Sequence, residues 1–292
     1  GAGPAGLAAA TTAASRGHEV VLFEAAEEIG GQFNLAKQIP GKEEFAQTLR
    51  YFANALADTG VNARLGTRVG VDELVAGQYD TVILATGVTP RIPDIPGVDH
   101  PSVVTYLQVL RDHVPVGRRV AILGAGGIGF DVAEYLTQSG PSSAEDAQQF
   151  NAEWGIDPTY ANPGGLTTPH QQTPARQVQL LQRKTTKIGA GLGKTTGWIH
   201  RATLAQREVV FARGASYDRI DDAGLHITLD GEPHVLEVDT IVLCTGQEPS
   251  RDLLAGLHDA GVDVRVIGGA DVATELDAKR AIKAGTELAA GL

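Results

Sequence analysis

The 292-residue chain is long enough for two compact domains, and its 42% hydrophobic and 20% charged residues are ordinary for a globular protein. A net charge of −11 excludes a nucleic-acid partner, which needs a basic surface, so any bound anion must sit in a local basic pocket. The single cysteine, Cys244, excludes an internal disulfide, a four-cysteine iron–sulfur cluster and a CxxC redox pair.

The chain opens on Gly1-Ala2-Gly3-Pro4-Ala5-Gly6, a GxGxxG turn leading into a helix of small residues, Leu7 to Ser15. Such a turn should follow a short apolar strand. Because Gly1 already belongs to the motif, we expect a piece of a longer polypeptide that lacks its first strand, with any targeting signal further upstream. EVVLFE then reads as a strand ending in Glu24, roughly 20 residues on, where a ribose-binding acid belongs. In this reading Gly1 permits the tight turn and Gly3 lets the backbone approach a pyrophosphate. Gly6 allows close helix–sheet contact, and the helix N-terminus stabilises phosphate.

Phe45, Leu49, Phe52 and Leu56 recur at the spacing of one buried helix face, ending near Gly60. YDTVILATG follows as an apolar strand ending in Thr86-Gly87. RRVAILG, Arg118 to Gly124, is the next strand, and it delivers a second glycine motif at Gly124, Gly126 and Gly129. VQLLQRK is a further strand, and VDTIVLCTG closes this part at Thr245-Gly246, matching Thr86-Gly87. LHITLD and HVLEVD, joined across Asp230-Gly231, form an antiparallel hairpin. From Glu275 onward an Ala-rich helix has Leu276, Ile282 and Leu288 available for burial.

The chain is therefore a duplicated unit, from glycine motif to strand ending in Thr-Gly, with a polar insertion at 140–176 lengthening the second copy. The 36 glycines, the low aromatic content of 5% and the alternation of strand and helix point to an α/β fold of two Rossmann-like domains.

The strand after the second motif ends in Arg183-Lys184, where an NAD site would carry an acid. Two cations there suit a ribose 2′-phosphate, so the second site is predicted to take NADPH; the alternative is an ordinary basic loop. Gly193-Lys194-Thr195 mimics a phosphate loop, but the upstream glycine which that motif needs is Ile188. Cys244 reads as a packed small hydrophobe, and His170 and His200 as surface or core polar groups. No catalytic residue and no metal site is expected, because dinucleotide cofactors carry their own chemistry. No apolar run approaches the ~20 residues of a membrane span, so no membrane partner is expected and a cytoplasmic location is predicted.

Several longer stretches resemble the C-terminal half of the bacterial NADPH-dependent 2,4-dienoyl-CoA reductases, iron–sulfur flavoenzymes of the old-yellow-enzyme-like group. They are GAGPAG, GGQFNLAKQIPGKEEF from Gly30, GAGGIGFDVAEYL from Gly124, EWGID from Glu153, LQRK from Leu181, GLGKTTGWIHR from Gly191 and GGADVATELDAKRAI from Gly268. The resemblance implies a FAD domain at 1–112 and 246–292, interrupted by an NADPH domain at 113–245. It implies FAD contacts from Ala5, Glu24, Gln32, Lys42, Val69 and Asp271, beside the motif glycines Gly1, Gly3 and Gly6. It implies NADPH contacts from Arg183 and Lys184 beside Gly124, Gly126 and Gly129. It further implies an N-terminal TIM barrel in the same polypeptide, carrying FMN and a 4Fe–4S cluster, that reduces the dienoyl-CoA thioester in unsaturated fatty-acid β-oxidation. The insertion at 140–176 is expected to pack against that barrel. Two other readings remain open: the equivalent module of an amine dehydrogenase or another enoate-type reductase, and a non-catalytic dinucleotide-binding redox domain.

Overall fold

The computed structural model describes residues 1–170, 172–274 and 277–292. Residues 1–90 form α1 (Pro4–Ser15), β1 (Val21–Phe23), α2 (Gln32–Ala36), α3 (Phe45–Thr59), β2 (Asn62–Arg64), α4 (Val71–Ala76), β3 (Val82–Leu84) and β4 (Val88–Pro90). The middle of the chain begins with β5 (Val103–Thr105), α5 (Tyr106–Leu110), β6 (Arg119–Leu123), α6 (Gly127–Thr137), α7 (Ala147–Trp154), β7 (Gln177–Gln182) and α8 (Gly197–Gln206). It continues through β8 (Val210–Arg213), β9 (Ser216–Asp221), β10 (Gly224–Leu229), β11 (Glu232–Leu236) and β12 (Thr240–Leu243). The last stretch holds β13 (Gln247–Pro249), α9 (Leu254–Asp259), β14 (Val264–Val266) and α10 (Ala278–Ala290).

The chain divides into two compact units: residues 1–37, 44–89 and 246–292 form the first, and 38–43 with 90–245 the second. The compact units change over at 89/90, where the resemblance implied a boundary at 112/113. The reason is pairing: β5 runs parallel to β12, with Val103 opposite Ile241, so the segment carrying β5 belongs to the second sheet. Gln38–Glu43 also belongs to the second unit, although it lies in the sequence of the first.

In the first unit β1 pairs with β2, and β14 with β3, each in parallel. Helix α1 is buried nearly all round because its side chains are small on every face. Leu7, Ala8 and Ala10 pack with Phe52 and Leu56 of α3, the helix whose apolar spacing is legible in the sequence. Ala5, Ala9 and Ala13 pack with Ala281 and Ala289 of α10. Helix α10 offers Ile282 and Leu288 for burial, and both pack partly buried against the first unit's core clusters. Its fully buried stripe is Ala281, Gly285 and Ala289, while Ile282 and Leu288 are half-buried and Leu276 lies outside the described residues. A Cβ at Gly285 would run into the Ala5 carbonyl oxygen, so the two helices approach backbone to backbone. Asp277 caps α10 by accepting from Arg280 N at 2.6 Å.

The second unit is built on a five-stranded parallel sheet of order β5-β12-β6-β7-β8. Val120–Leu123 and Thr240–Leu243 are buried without alternation, as parallel strands covered on both faces must be. One face is covered by the antiparallel β9-β10-β11 sheet, whose Ile220, Leu225 and Ile227 pack on Ala121, Leu123, Leu181, Ile241 and Leu243. The hairpin across Asp230-Gly231 pairs Leu229 with Glu232.

The insertion at 140–176 is not a structureless loop. It contains α7, whose N-cap Asp146 accepts from Gln148 N and Gln149 N, and two short 3₁₀ turns. Glu153 of α7 lies 3.9 Å from the largely buried guanidinium of Arg207, which also donates to Glu134 O at 2.9 Å and Gln138 Oε1 at 2.6 Å. Burial holds the Arg207 pKa below its ordinary value. Among the described residues no helix is long and apolar enough to cross a membrane.

Candidate functional site: two glycine cradles

In the first unit the motif runs between the ends of β1 and β3. A Cβ at Gly1 would meet the Ala85 carbonyl just past β3, and one at Gly6 would meet the Gly1 carbonyl. At Gly3 the space is open, with the nearest atom, Gly31 Cα, 4.0 Å from where a Cβ would sit. The first and third glycines are therefore dictated by packing, and the second by something that must come close from outside. Gly3 caps α1 without a side-chain acceptor, which leaves first-turn N–H groups free for an anion.

Glu24 lies at the end of β1, and both its oxygens are engaged. Oε2 accepts from Ala2 N at 2.6 Å and Oε1 from Ala26 N at 2.9 Å. The carboxylate thus holds the motif turn in place, and its remaining lone pairs are suited to hydroxyl donors. Gly30 N donates to Ala2 O at 2.8 Å, which brings the loop before Gln32 over the motif. Gly268 approaches Ala5 so closely that a Cβ would collide with it, and this brings Gly268–Asp271 beside the first turn of α1. Asp271 is exposed, 3.9 Å from Arg251. Val69 is half-buried against the cluster around Leu74 and Leu84. Gly1, Gly3, Ala5, Gly6, Glu24, Gln32 and Asp271 are brought together. Lys42 lies in the second unit.

The second motif repeats this geometry in the second unit. A Cβ at Gly124 would meet the Cys244 carbonyl, and one at Gly129 the Gly124 carbonyl, whereas nothing lies within 4 Å of a Cβ at Gly126. Helix α6 also starts without a side-chain cap. Arg183 and Lys184 follow β7, both exposed, and neither forms an ion pair or a side-chain hydrogen bond among the described residues. In each unit the middle glycine of the motif, Gly3 or Gly126, faces space that a ligand backbone can fill. The fold and the two cradles fit a pair of dinucleotides.

Two contacts on α6 escape the motif reading. Lys42 Nζ lies 2.5 Å from Asp131 Oδ1, and His200 Nδ1 of α8 lies 2.7 Å from Glu134 Oε1. The hydrogen bond from Glu134 raises the His200 pKa above its ordinary value of 6.5. The signal in the sequence was Glu134 itself, a carboxylate within the apolar run FDVAEYL, where burial demands a partner. Cys244 is buried, and desolvation pushes its thiol pKa well up, the opposite of a reactive thiol.

A two-cradle α/β chain of this kind defines a class, the double-dinucleotide oxidoreductases. The chain belongs to the pyridine nucleotide-disulphide oxidoreductase family, whose profile matches residues 1–280. It is 28% identical over 283 residues to a metal reductase of Desulforamulus reducens, an alignment covering 92% of this chain and 40% of that protein. It is 38% identical over 271 residues to an N,N-dimethylglycine/sarcosine dehydrogenase of Chromohalobacter salexigens, covering 89% of this chain and 34% of that protein. The solved structure of a 2-naphthoyl-CoA reductase in complex with 2-naphthoyl-CoA superimposes with a TM-score of 0.82 at 24% identity, covering 100% of this chain and 39% of the other. That last likeness is one of fold. The chain spans less than half the length of the curated relatives it matches.

Proposed function

We propose that the first unit holds FAD, that the second holds NADPH, and that the chain is an electron-input module of a larger cytoplasmic reductase. The observation that carries this reading is the exposed cation pair Arg183-Lys184 at the end of the strand after the second cradle. A ribose 2′-phosphate there would accept charge-assisted hydrogen bonds, and the guanidinium offers a forked geometry. When bound, FAD supplies the acceptor for the hydride of NADPH. The chain's own residues then bind and orient. Gly3 and the first turn of α1 receive the pyrophosphate, Glu24 accepts from the ribose, and Gln32, Val69 and Asp271 line the remainder. Lys42 is held on α6 by Asp131. Gly124, Gly126 and Gly129 cradle the NADPH pyrophosphate.

In this reading the partner is an N-terminal TIM barrel of the same polypeptide, with FMN and a 4Fe–4S cluster, that reduces 2,4-dienoyl-CoA. The greater length of the relatives supports a further domain, and the likeness in fold to an acyl-CoA reductase is compatible with a thioester substrate. A second reading, the input module of an amine dehydrogenase, is favoured by the 38% identity to the dimethylglycine/sarcosine dehydrogenase.

Anaerobic mixing of the FAD-loaded protein with each donor tests both. NADPH should bleach the flavin band far faster than NADH, and replacing Arg183 and Lys184 together with neutral residues should reduce that preference by about two orders of magnitude. Bleaching by sarcosine but not by NADPH would establish the amine reading instead. Consumption of dienoyl-CoA by the full polypeptide tests the substrate.

A further inference from the structure

The ends of two neighbouring strands carry three exposed cations. β7 and β8 run parallel with Gln182 opposite Arg213, so Arg213 ends β8 beside the residue that precedes Arg183 and Lys184. The loops after both strands are tied together. Gly214 N donates to Lys184 O at 3.0 Å and Ala215 N to Gln182 O at 3.1 Å. Gln182 Nε2 donates to Lys184 O at 2.9 Å and to Thr186 O at 2.5 Å. Gly214 has a φ of 74°, a conformation that favours glycine and lets the turn close over Thr185. The three cations are therefore held on one folded platform, not on independent loops.

Arg213, like Arg183 and Lys184, forms no ion pair and no side-chain hydrogen bond among the described residues. In a chain of net charge −11, three adjacent unneutralised cations mark a place where an anion belongs. An open groove beside them is lined by Thr185, Arg213, Ser216, Thr228 and Asp230, at the carboxyl ends of the parallel strands where α/β folds take their ligands.

We propose that Arg213 is a specificity-determining residue of the second dinucleotide site, closing with Arg183 and Lys184 a three-cation clamp around a ribose 2′-phosphate. The proposal rests on the NADPH reading of this unit and deepens it. Arg183 and Lys184 approach from the loop after β7, and Arg213 approaches from the adjacent strand, so a phosphate with several acceptor oxygens is met from two directions. Asp230, the carboxylate of the groove, repels a phosphate and suits the exocyclic amine of adenine. This orients the nucleotide with its 2′-phosphate toward the strand ends.

The test uses two probes that differ only in the 2′-phosphate, adenosine 2′,5′-bisphosphate and AMP, titrated calorimetrically into the full-length flavin-loaded protein. The readout requires no turnover. The wild type should prefer the bisphosphate. Arg213→Gln should weaken bisphosphate binding about tenfold, about 1.4 kcal/mol, and leave AMP binding unchanged, while Arg213→Lys should recover part of the loss. If the wild type prefers the bisphosphate and Arg213→Gln keeps that preference, the role of Arg213 is overturned and the NADPH reading stands. An equal loss on both probes also overturns it as a specificity residue. A wild type indifferent to the 2′-phosphate overturns the NADPH reading itself, and this proposal with it. Arg213 is exposed and among the described residues forms no ion pair or side-chain hydrogen bond that either variant would remove.

Discussion

Lys42 Nζ stands 2.5 Å from Asp131 Oδ1, joining a segment that precedes α3 in sequence to the helix that follows the second glycine motif. Both side chains are about three-quarters covered, at 28% and 22% exposure, which places the pair between the weak surface class and the fully buried one. A double-mutant cycle of Lys42→Ala and Asp131→Ala, followed by urea denaturation, should give a coupling of about 1 kcal/mol. Additive effects would show that the pair contributes nothing to stability.

Glu24 has a structural contact and a proposed ligand role that separate on mutation. Removing its carboxylate leaves the N–H of the fully buried Ala2 unsatisfied, which costs about 1–3 kcal/mol. Glu24→Gln retains one acceptor oxygen and should recover part of that stability. Glu24→Arg should sharply lower the flavin-to-protein ratio, because a cation replaces the acceptor offered to the ribose. An unchanged flavin ratio in purified Glu24→Arg protein would remove Glu24 from the FAD site.

The His200–Glu134 pair makes stability depend on pH. Glu134 raises the folded-state pKa of His200 above 6.5, so the folded protein holds the proton more tightly than the unfolded chain. The contribution is fully present below pH 6.5 and is lost as the pH rises through the higher folded-state value. Asp131 adds to this shift, whereas desolvation and Lys42 oppose it. Denaturation curves from pH about 6 to about 9 should therefore show stability falling, and His200→Ala should flatten that slope. The same slope in wild type and variant would assign the dependence to other groups.

The two cradles predict opposite outcomes for neighbouring glycines. At Gly129 an added Cβ meets the Gly124 carbonyl, so Gly129→Ala should destabilise by about 3 kcal/mol. At Gly126 the backbone is extended, with φ −84°, and a Cβ meets nothing. Gly126→Ala should change stability by less than about 1 kcal/mol yet weaken NADPH binding at least about tenfold. Thermal melts and nucleotide titrations of the two variants check this. An unaffected NADPH affinity in Gly126→Ala would place the nucleotide elsewhere.

The local and periodic features of this protein were legible in its sequence. Both glycine motifs, the helix carrying Phe52 and Leu56, the strand Arg119–Leu123 and the hairpin across Asp230-Gly231 depend on residues close together in the chain. Their signals are side-chain period and turn chemistry, which any short window contains. The Glu24 position was legible for the same reason, as an acid at a fixed distance after a motif.

What only the tertiary structure decided are relations between distant residues. Lys42 reaches Asp131, His200 reaches Glu134, and Arg213 lies opposite Gln182 because parallel strands pair across a crossover. The boundary at 89/90 depends on β5 pairing with β12, a contact that no local pattern announces. Ile282 and Leu288, available for burial in the sequence, do pack against the core clusters, but the closest approach of α10 falls elsewhere. Gly285 against Ala5 instead lets two backbones touch, and a small residue's value in such a contact is invisible until its neighbour is known. Spacing encodes which face a side chain occupies, and only the fold encodes what that face meets.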